Sequence, residues 1–178
     1  MKQLMANQAW RKASLMITIA LFCAVGAFAT TFARPAHAAT QAEHCLVVLE
    51  ALHAGESTSR VLSQQCTQGD QQRVTPNICF THLMRWWADA NHRGAFTDVC
   101  GQYGKCDSAG YGFNYVGSAW NDRISSFQVF NNCTYTRAYE NANYSGICQA
   151  YNGDIDNVGS ALNDHISSFR IASAQYHC

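Results

Sequence analysis

Val116-Gly-Ser-Ala-Trp-Asn-Asp-Arg-Ile-Ser-Ser-Phe127 returns 42 residues later as Val158-Gly-Ser-Ala-Leu-Asn-Asp-His-Ile-Ser-Ser-Phe169, identical at ten of twelve positions. Upstream of each copy lies a second matched pair. Trp87-Ala-Asp-Ala-Asn-His-Arg-Gly94 corresponds to Tyr139-Glu-Asn-Ala-Asn-Tyr-Ser-Gly146, at an offset of 52. The offsets differ by ten, so the first unit carries an insertion of ten residues between its halves. The stretch from Gly101 to Gly112, Gly-rich and containing Cys106, is its place. Two copies suit a compact pseudo-symmetric domain; a solenoid needs more.

The residues around the repeats favour strands. Ile124, Phe127 and Val129, and their counterparts Ile166, Phe169 and Ile171, are β-formers in short runs bounded by Gly, Asn, Asp or Ser. No stretch after Ala39 sustains a long helical stripe. Leu46 to Leu52 reads equally as a strand or a short helix. Short strands with turn signals at close spacing predict an all-β, antiparallel two-sheet sandwich with Greek-key connections.

An aromatic, four residues, an aromatic, one residue and Gly, followed by Asn/Asp-Asn/Asp-x-x-Ser/Thr-Ser, resembles the βγ-crystallin Greek-key motif. Tyr139, Tyr144 and Gly146 with Asn163-Asp164-His165-Ile166-Ser167-Ser168 fit every position. Trp87, His92 and Gly94 with Asn121-Asp122-Arg123-Ile124-Ser125-Ser126 fit with one departure, His92 in place of the second aromatic. The resemblance covers roughly 79–172 and implies one βγ-crystallin-like domain at 79–178. Its first Greek key runs over about 79–130 and its second over about 133–172. It further implies that Ser126 and Ser168 tie down a folded hairpin, that Gly94 and Gly146 supply a backbone a Cβ would oppose, and that Asn121 and Asn163 shape the loops.

Calcium takes six to eight oxygen ligands, which one such loop cannot supply. The family resemblance implies two loops side by side that exchange ligands. Asp122 and Asp164 are the expected carboxylate ligands, and Ser125 and Ser167 the hydroxyl ligands. The backbone carbonyls of Arg123 and His165 join them, with those of Ala88 and Glu140 completing two sites. Asn, Asp and Ser also favour turns through their own backbone, so a single copy would signify only a well-capped turn. Two full copies favour calcium.

The rest of the chain supplies context. Met1 to Ser14 is basic, Leu15 to Ala33 is nearly all apolar, and Ala36-His37-Ala38 offers a small-x-small cleavage site. That order predicts a signal peptide over 1–38 and a secreted, extracellular protein. Of 178 residues, 48% are hydrophobic and 13% charged, with formal net charge zero. This disfavours a disordered chain and a nucleic-acid binder, and no membrane attachment is expected after cleavage. Nine cysteines include Cys23 in the leader. The other eight, Cys45, Cys66, Cys79, Cys100, Cys106, Cys133, Cys148 and Cys178, are an even count in an exported chain and predict disulfides. Hairpin symmetry suggests Cys79–Cys100 and Cys133–Cys148. Proximity suggests Cys45–Cys66, which leaves Cys106 with Cys178. Residues 39–78 form a disulfide-bonded N-terminal extension without a legible motif, a strand pair on the sandwich or a functional appendage.

The sequence holds no G-x-S-x-G, H-E-x-x-H or phosphate loop, and its histidines show no catalytic spacing. No enzyme is expected. Trp86, Trp87 and Trp120 read as core residues. The expected function is a secreted calcium-binding structural or binding module whose fold calcium stabilises. The alternative is a secreted protease inhibitor or antimicrobial protein that meets an extracellular protein or protease through Gly101 to Gly112.

Overall fold

Each half of the repeat supplies a long hairpin, a short strand and a closing strand. In the first key these are β3 (Thr81–Asp89), β4 (Arg93–Gly101), β5 (Tyr111–Phe113) and β6 (Ser126–Val129). In the second they are β7 (Tyr135–Asn141), β8 (Ser145–Asn152), the single bridge residue Ile155 and β9 (Ser168–Ala172). Two further strands precede them, β1 (His44–Leu49) and β2 (Val61–Thr67). The computed structural model describes residues 44–53, 55–67, 79–175 and 177–178. All of these fall within one unit, Ala39–Cys178. The signal peptide expected over 1–38 lies outside the described residues, as does part of the extension.

The nine strands among the described residues form two sheets, ordered β2-β1-β4-β3-β6 and β5-β9-β7-β8. The keys interlock by exchanging their third strands. β5 of the first key pairs with β9 of the second. Ile155 of the second key bridges to Phe127 on β6 of the first. Neither key therefore completes a sheet alone, and the result is the all-β, βγ-crystallin-like sandwich that the motif implies.

Alternation along the strands fills the space between the sheets. Trp86, Trp120, Phe127, Phe169, Ile124 and Ile166 are essentially inaccessible. Trp86 stacks on Phe169 at 5.5 Å, and Phe127 meets Phe169 edge-on at 5.9 Å. Matched residues from the two halves thus pack around the pseudo-twofold axis. Trp87 is also buried, so Trp86, Trp87 and Trp120 all serve packing.

The extension is a strand pair that widens the first sheet. β1 pairs antiparallel with β2 and parallel with β4, so the sandwich is not wholly antiparallel. β1 enters beside the first key already running in the direction of β4. It is buried on both faces: Cys45, Val47 and Leu49 enter the main core, while Leu46 and Val48 join Cys100 in a second cluster. The chain then crosses to the other sheet. Ser59 N–H donates to Gly112 O (2.8 Å), and Gly112 N–H donates to Ser59 Oγ (3.2 Å). A Cβ on Gly112 would sit 2.1 Å from Ser57 O. That close approach is what glycine permits.

All eight expected cysteines are bonded, in the pairs Cys45–Cys66, Cys79–Cys100, Cys106–Cys133 and Cys148–Cys178. The last two correct the pairings Cys133–Cys148 and Cys106–Cys178. Register decides the matter. Cys148 lies opposite Tyr139, and Tyr135 lies opposite Asn152, so Cys133 is already past the end of its partner strand. It turns inward instead. The Gly101 to Gly112 loop is fastened there by Cys106 N–H to Asn131 O (3.0 Å) and Asn132 Nδ2–H to Cys106 O (3.0 Å).

Two outcomes follow. Non-reducing peptide mapping should recover the Cys106–Cys133 and Cys148–Cys178 crosslinks; a Cys133–Cys148 peptide would contradict the register. Gly112→Ala should destabilise the protein by about 2 kcal/mol or more through the forced retreat of the Ser57–Ser59 strap. An unchanged denaturation midpoint would show that the strap is not packed there.

Candidate metal centre

The two hairpins fold over by the same local chemistry. Asn91 and His92 in the first, and Asn143 and Tyr144 in the second, adopt positive φ of 58–59°. Gly94 (φ 78°) and Gly146 (φ 77°) follow. A Cβ at Gly94 would collide with the Asp89 carboxylate, and one at Gly146 with the Asn141 amide and Glu140 carboxylate. The aromatic slots then meet: Trp87 contacts His92 at 4.8 Å, and Tyr139 contacts Tyr144 at 5.6 Å. His92 therefore packs as the missing aromatic would.

The second serine of each clamp ties its hairpin down. Ser126 Oγ–H donates to Asp89 O (2.6 Å) and accepts from His92 N–H (3.1 Å). Ser168 Oγ–H donates to Asn141 O (2.7 Å) and accepts from Tyr144 N–H (3.1 Å). Both serines have 0% relative exposure. Each thus satisfies a carbonyl and an amide of its hairpin from a buried position.

The clamps come together across the keys. Asp164 N–H donates to Ile124 O (3.3 Å), and Asp122 N–H donates to Ile166 O (3.4 Å). These bonds set Asp164 beside Ser125 and Asp122 beside Ser167. Ser125 N–H donates to Trp87 O (3.0 Å), and Ser167 N–H donates to Tyr139 O (2.9 Å), which brings Ala88 and Glu140 to the same two corners. Both aspartates sit in the left-handed region, at φ 60° for Asp122 and 57° for Asp164. Asp tolerates that region because its short side chain bonds locally. Here the preceding asparagine supplies the bond: Asn121 Nδ2–H to Asp122 Oδ2 (2.6 Å) and Asn163 Nδ2–H to Asp164 Oδ2 (2.8 Å).

In the first corner the exchange is direct. Ser125 Oγ–H donates to Asp164 Oδ1 at 3.2 Å. The pair lies in a solvent-open depression whose lining includes Ala88, Asp89, Asn157, Ser160 and Asn163. Asp89, Asn157 and Ser160 were not among the residues expected from the sequence; the signal available was the place of Asp89 and Ser160 within the repeats and of Asn157 directly before one. The second corner holds Asp122, Ser167 and Glu140. Arg123 turns its guanidinium to Ala119 O (2.6 Å) and over the Trp120 ring (5.1 Å).

The donor set is one of hard oxygens, which suits calcium or magnesium and not soft metals. Among the described residues no three His, Cys, Asp or Glu side chains gather into a metal cluster. A corner built from one carboxylate, one hydroxyl and backbone carbonyls does not require such a cluster.

A polar network elsewhere is structural. Burial opposes the charge on Asp98, but hydrogen bonds from His82 and Arg85 outweigh it and hold the carboxyl below its usual range. Tyr151 is pushed up to about 12 by burial, and its hydroxyl donates to Val158 O (2.6 Å) at the head of the second clamp.

These features define a βγ-crystallin-like domain of two interlocked Greek keys. No family model and no curated protein matches the chain. Among solved structures it is similar to a double mutant of a βγ-crystallin domain from Clostridium beijerinckii, at 27% identity and TM-score 0.42, over 53% of this chain and 100% of that one. A clostrillin double mutant in complex with nickel is similar at 27% identity and TM-score 0.41, over 52% and 100%. A βγ-crystallin domain from Flavobacterium johnsoniae is similar at 22% identity and TM-score 0.38, over 53% and 99%.

Replacing Ser126 or Ser168 with Ala removes two hydrogen bonds that hold its hairpin, so each change should cost about 2 kcal/mol by urea denaturation. A cost near zero for either would show that its hydroxyl does not hold the hairpin.

Proposed function

We propose that the protein is a secreted calcium-binding βγ-crystallin-like module, non-catalytic, whose two corners bind calcium and are stabilised by it. Ala88 O, Ser125 Oγ and Asp164 would serve one corner; Glu140 O, Ser167 Oγ and Asp122 the other. The carbonyls of Arg123 and His165 complete the donor sets. The observation that carries this reading is the Ser125–Asp164 contact, in which the hydroxyl of one key meets the carboxylate of the other at an open depression. A cation held there is bound by both keys at once, so binding and folding are coupled. The contribution grows with free calcium, reaching about 2.7 kcal/mol at a hundredfold excess over the dissociation constant.

Secretion rests on the basic, apolar and small-residue order of residues 1–38 and agrees with four disulfides, which persist in oxidising compartments.

Calorimetry should show calcium binding with a matching rise in melting temperature, and Asp122→Ala with Asp164→Ala should abolish both. Undiminished heat in the folded double mutant would place the site elsewhere.

A further inference from the structure

An open sheet edge carries a row of unpaired backbone groups, which is a template for another strand. The two sheets end on β2 and β6, and on β5 and β8. Three of these four edges are guarded. The strap covers β5, through Ser59 N–H to Gly112 O (2.8 Å) and Gly112 N–H to Ser59 Oγ (3.2 Å). Beside β6, Asp154 Oδ1 accepts from Val129 N–H (2.9 Å), and Phe127 and Ile155 exchange backbone bonds (3.0 and 2.8 Å). On β8 the Glu140 carboxylate accepts from Ile147 N–H (3.1 Å), and the Cys148–Cys178 bridge ties the C-terminus to the strand.

β2 is the exception. It pairs with β1, and among the described residues no hydrogen bond reaches its other edge. Val61-Leu-Ser-Gln-Gln-Cys-Thr67 holds no charged residue and no proline, the usual guards of an edge. Val61, Leu62, Gln64, Gln65 and Cys66 are exposed.

The register says which groups are on offer. Cys45 and Cys66 lie directly opposite each other with Cα atoms 4.0 Å apart. So close a pair is of the non-hydrogen-bonded kind, whose N–H and C=O point away from the partner strand. Cys66 therefore aims its backbone outward, and so does Gln64, two residues earlier. The ladder skips Leu62, a bulge that leaves Ser63 to Thr67 as the regular part of the strand.

We propose that β2 is a self-association edge, and that its occupant is β2 of a second copy of this chain, antiparallel, about a twofold axis at Gln65. In that register Gln64 of each copy faces Cys66 of the other, and each such pair exchanges two backbone bonds. Ser63 faces Thr67, a favourable cross-strand combination, and Gln65 faces Gln65. No charge of β2 meets its like, so the strand is complementary to itself, as a twofold interface requires. The contact is short and belongs with the weak, transient interfaces, with a dissociation constant of about 10 μM to 1 mM. It lies on the extension and does not depend on the calcium reading.

The test is sedimentation equilibrium of the secreted, disulfide-intact protein, with Gln65→Lys and Gln65→Glu, each checked for folding by circular dichroism. Gln65 is exposed, and each variant sets like charges against each other at the axis. The native protein should move from monomer toward dimer mass as its concentration rises through that range. Each variant alone should stay monomeric, and an equimolar mixture of the two should dimerise again, a recovery that damage to the fold would not produce. A native protein that stays monomeric up to about 1 mM would overturn the proposal. So would a dimer that neither variant weakens, or a mixture of the two that stays monomeric.

Discussion

Two buried hydroxyls hold the molecule in its working shape. Ser126 and Ser168 each donate to the carbonyl at the start of a folded hairpin and accept from an amide at its tip. Without them each hairpin would lose the two hydrogen bonds that fold it over the sandwich. Everything at the corners follows from that fixation. The hairpin supplies the carbonyl donor, the clamp supplies the serine, and the strand exchange brings the other key's aspartate beside them.

The strand exchange links stability to function. Because β5 lies in the second key's sheet and Ile155 bridges to the first key's, neither key is a complete structure alone. A ligand bridging Ser125 and Asp164 therefore acts on the whole sandwich. The disulfides act on other parts: Cys106–Cys133 fastens the inserted loop, Cys148–Cys178 ties the C-terminus to β8, and Cys45–Cys66 staples the extension. The Ser57–Ser59 strap joins the two sheets at a place no disulfide reaches.

The keys and corners were legible in the sequence because their chemistry is local. A positive φ calls for Gly or Asn, a left-handed Asp calls for a neighbouring donor, and each requirement leaves its residue in the repeat. The pairings of Cys106, Cys133, Cys148 and Cys178 were not legible in the same way. They depend on strand register: the second hairpin centres between Asn143 and Tyr144, three residues beyond the centre that a Cys133–Cys148 pair requires. The extension was ambiguous for a related reason. β1 is apolar on both faces, so its alternation is hidden, and its partner β4 lies some fifty residues away.

Backbone amide chemical shifts followed during calcium titration test the central claim most directly. The account predicts saturable shifts concentrated at Ala88, Asp89, Ser125 and Asp164, and at Glu140, Asp122 and Ser167, with small changes elsewhere. Shifts confined to other surfaces, with both clamps silent, would contradict it.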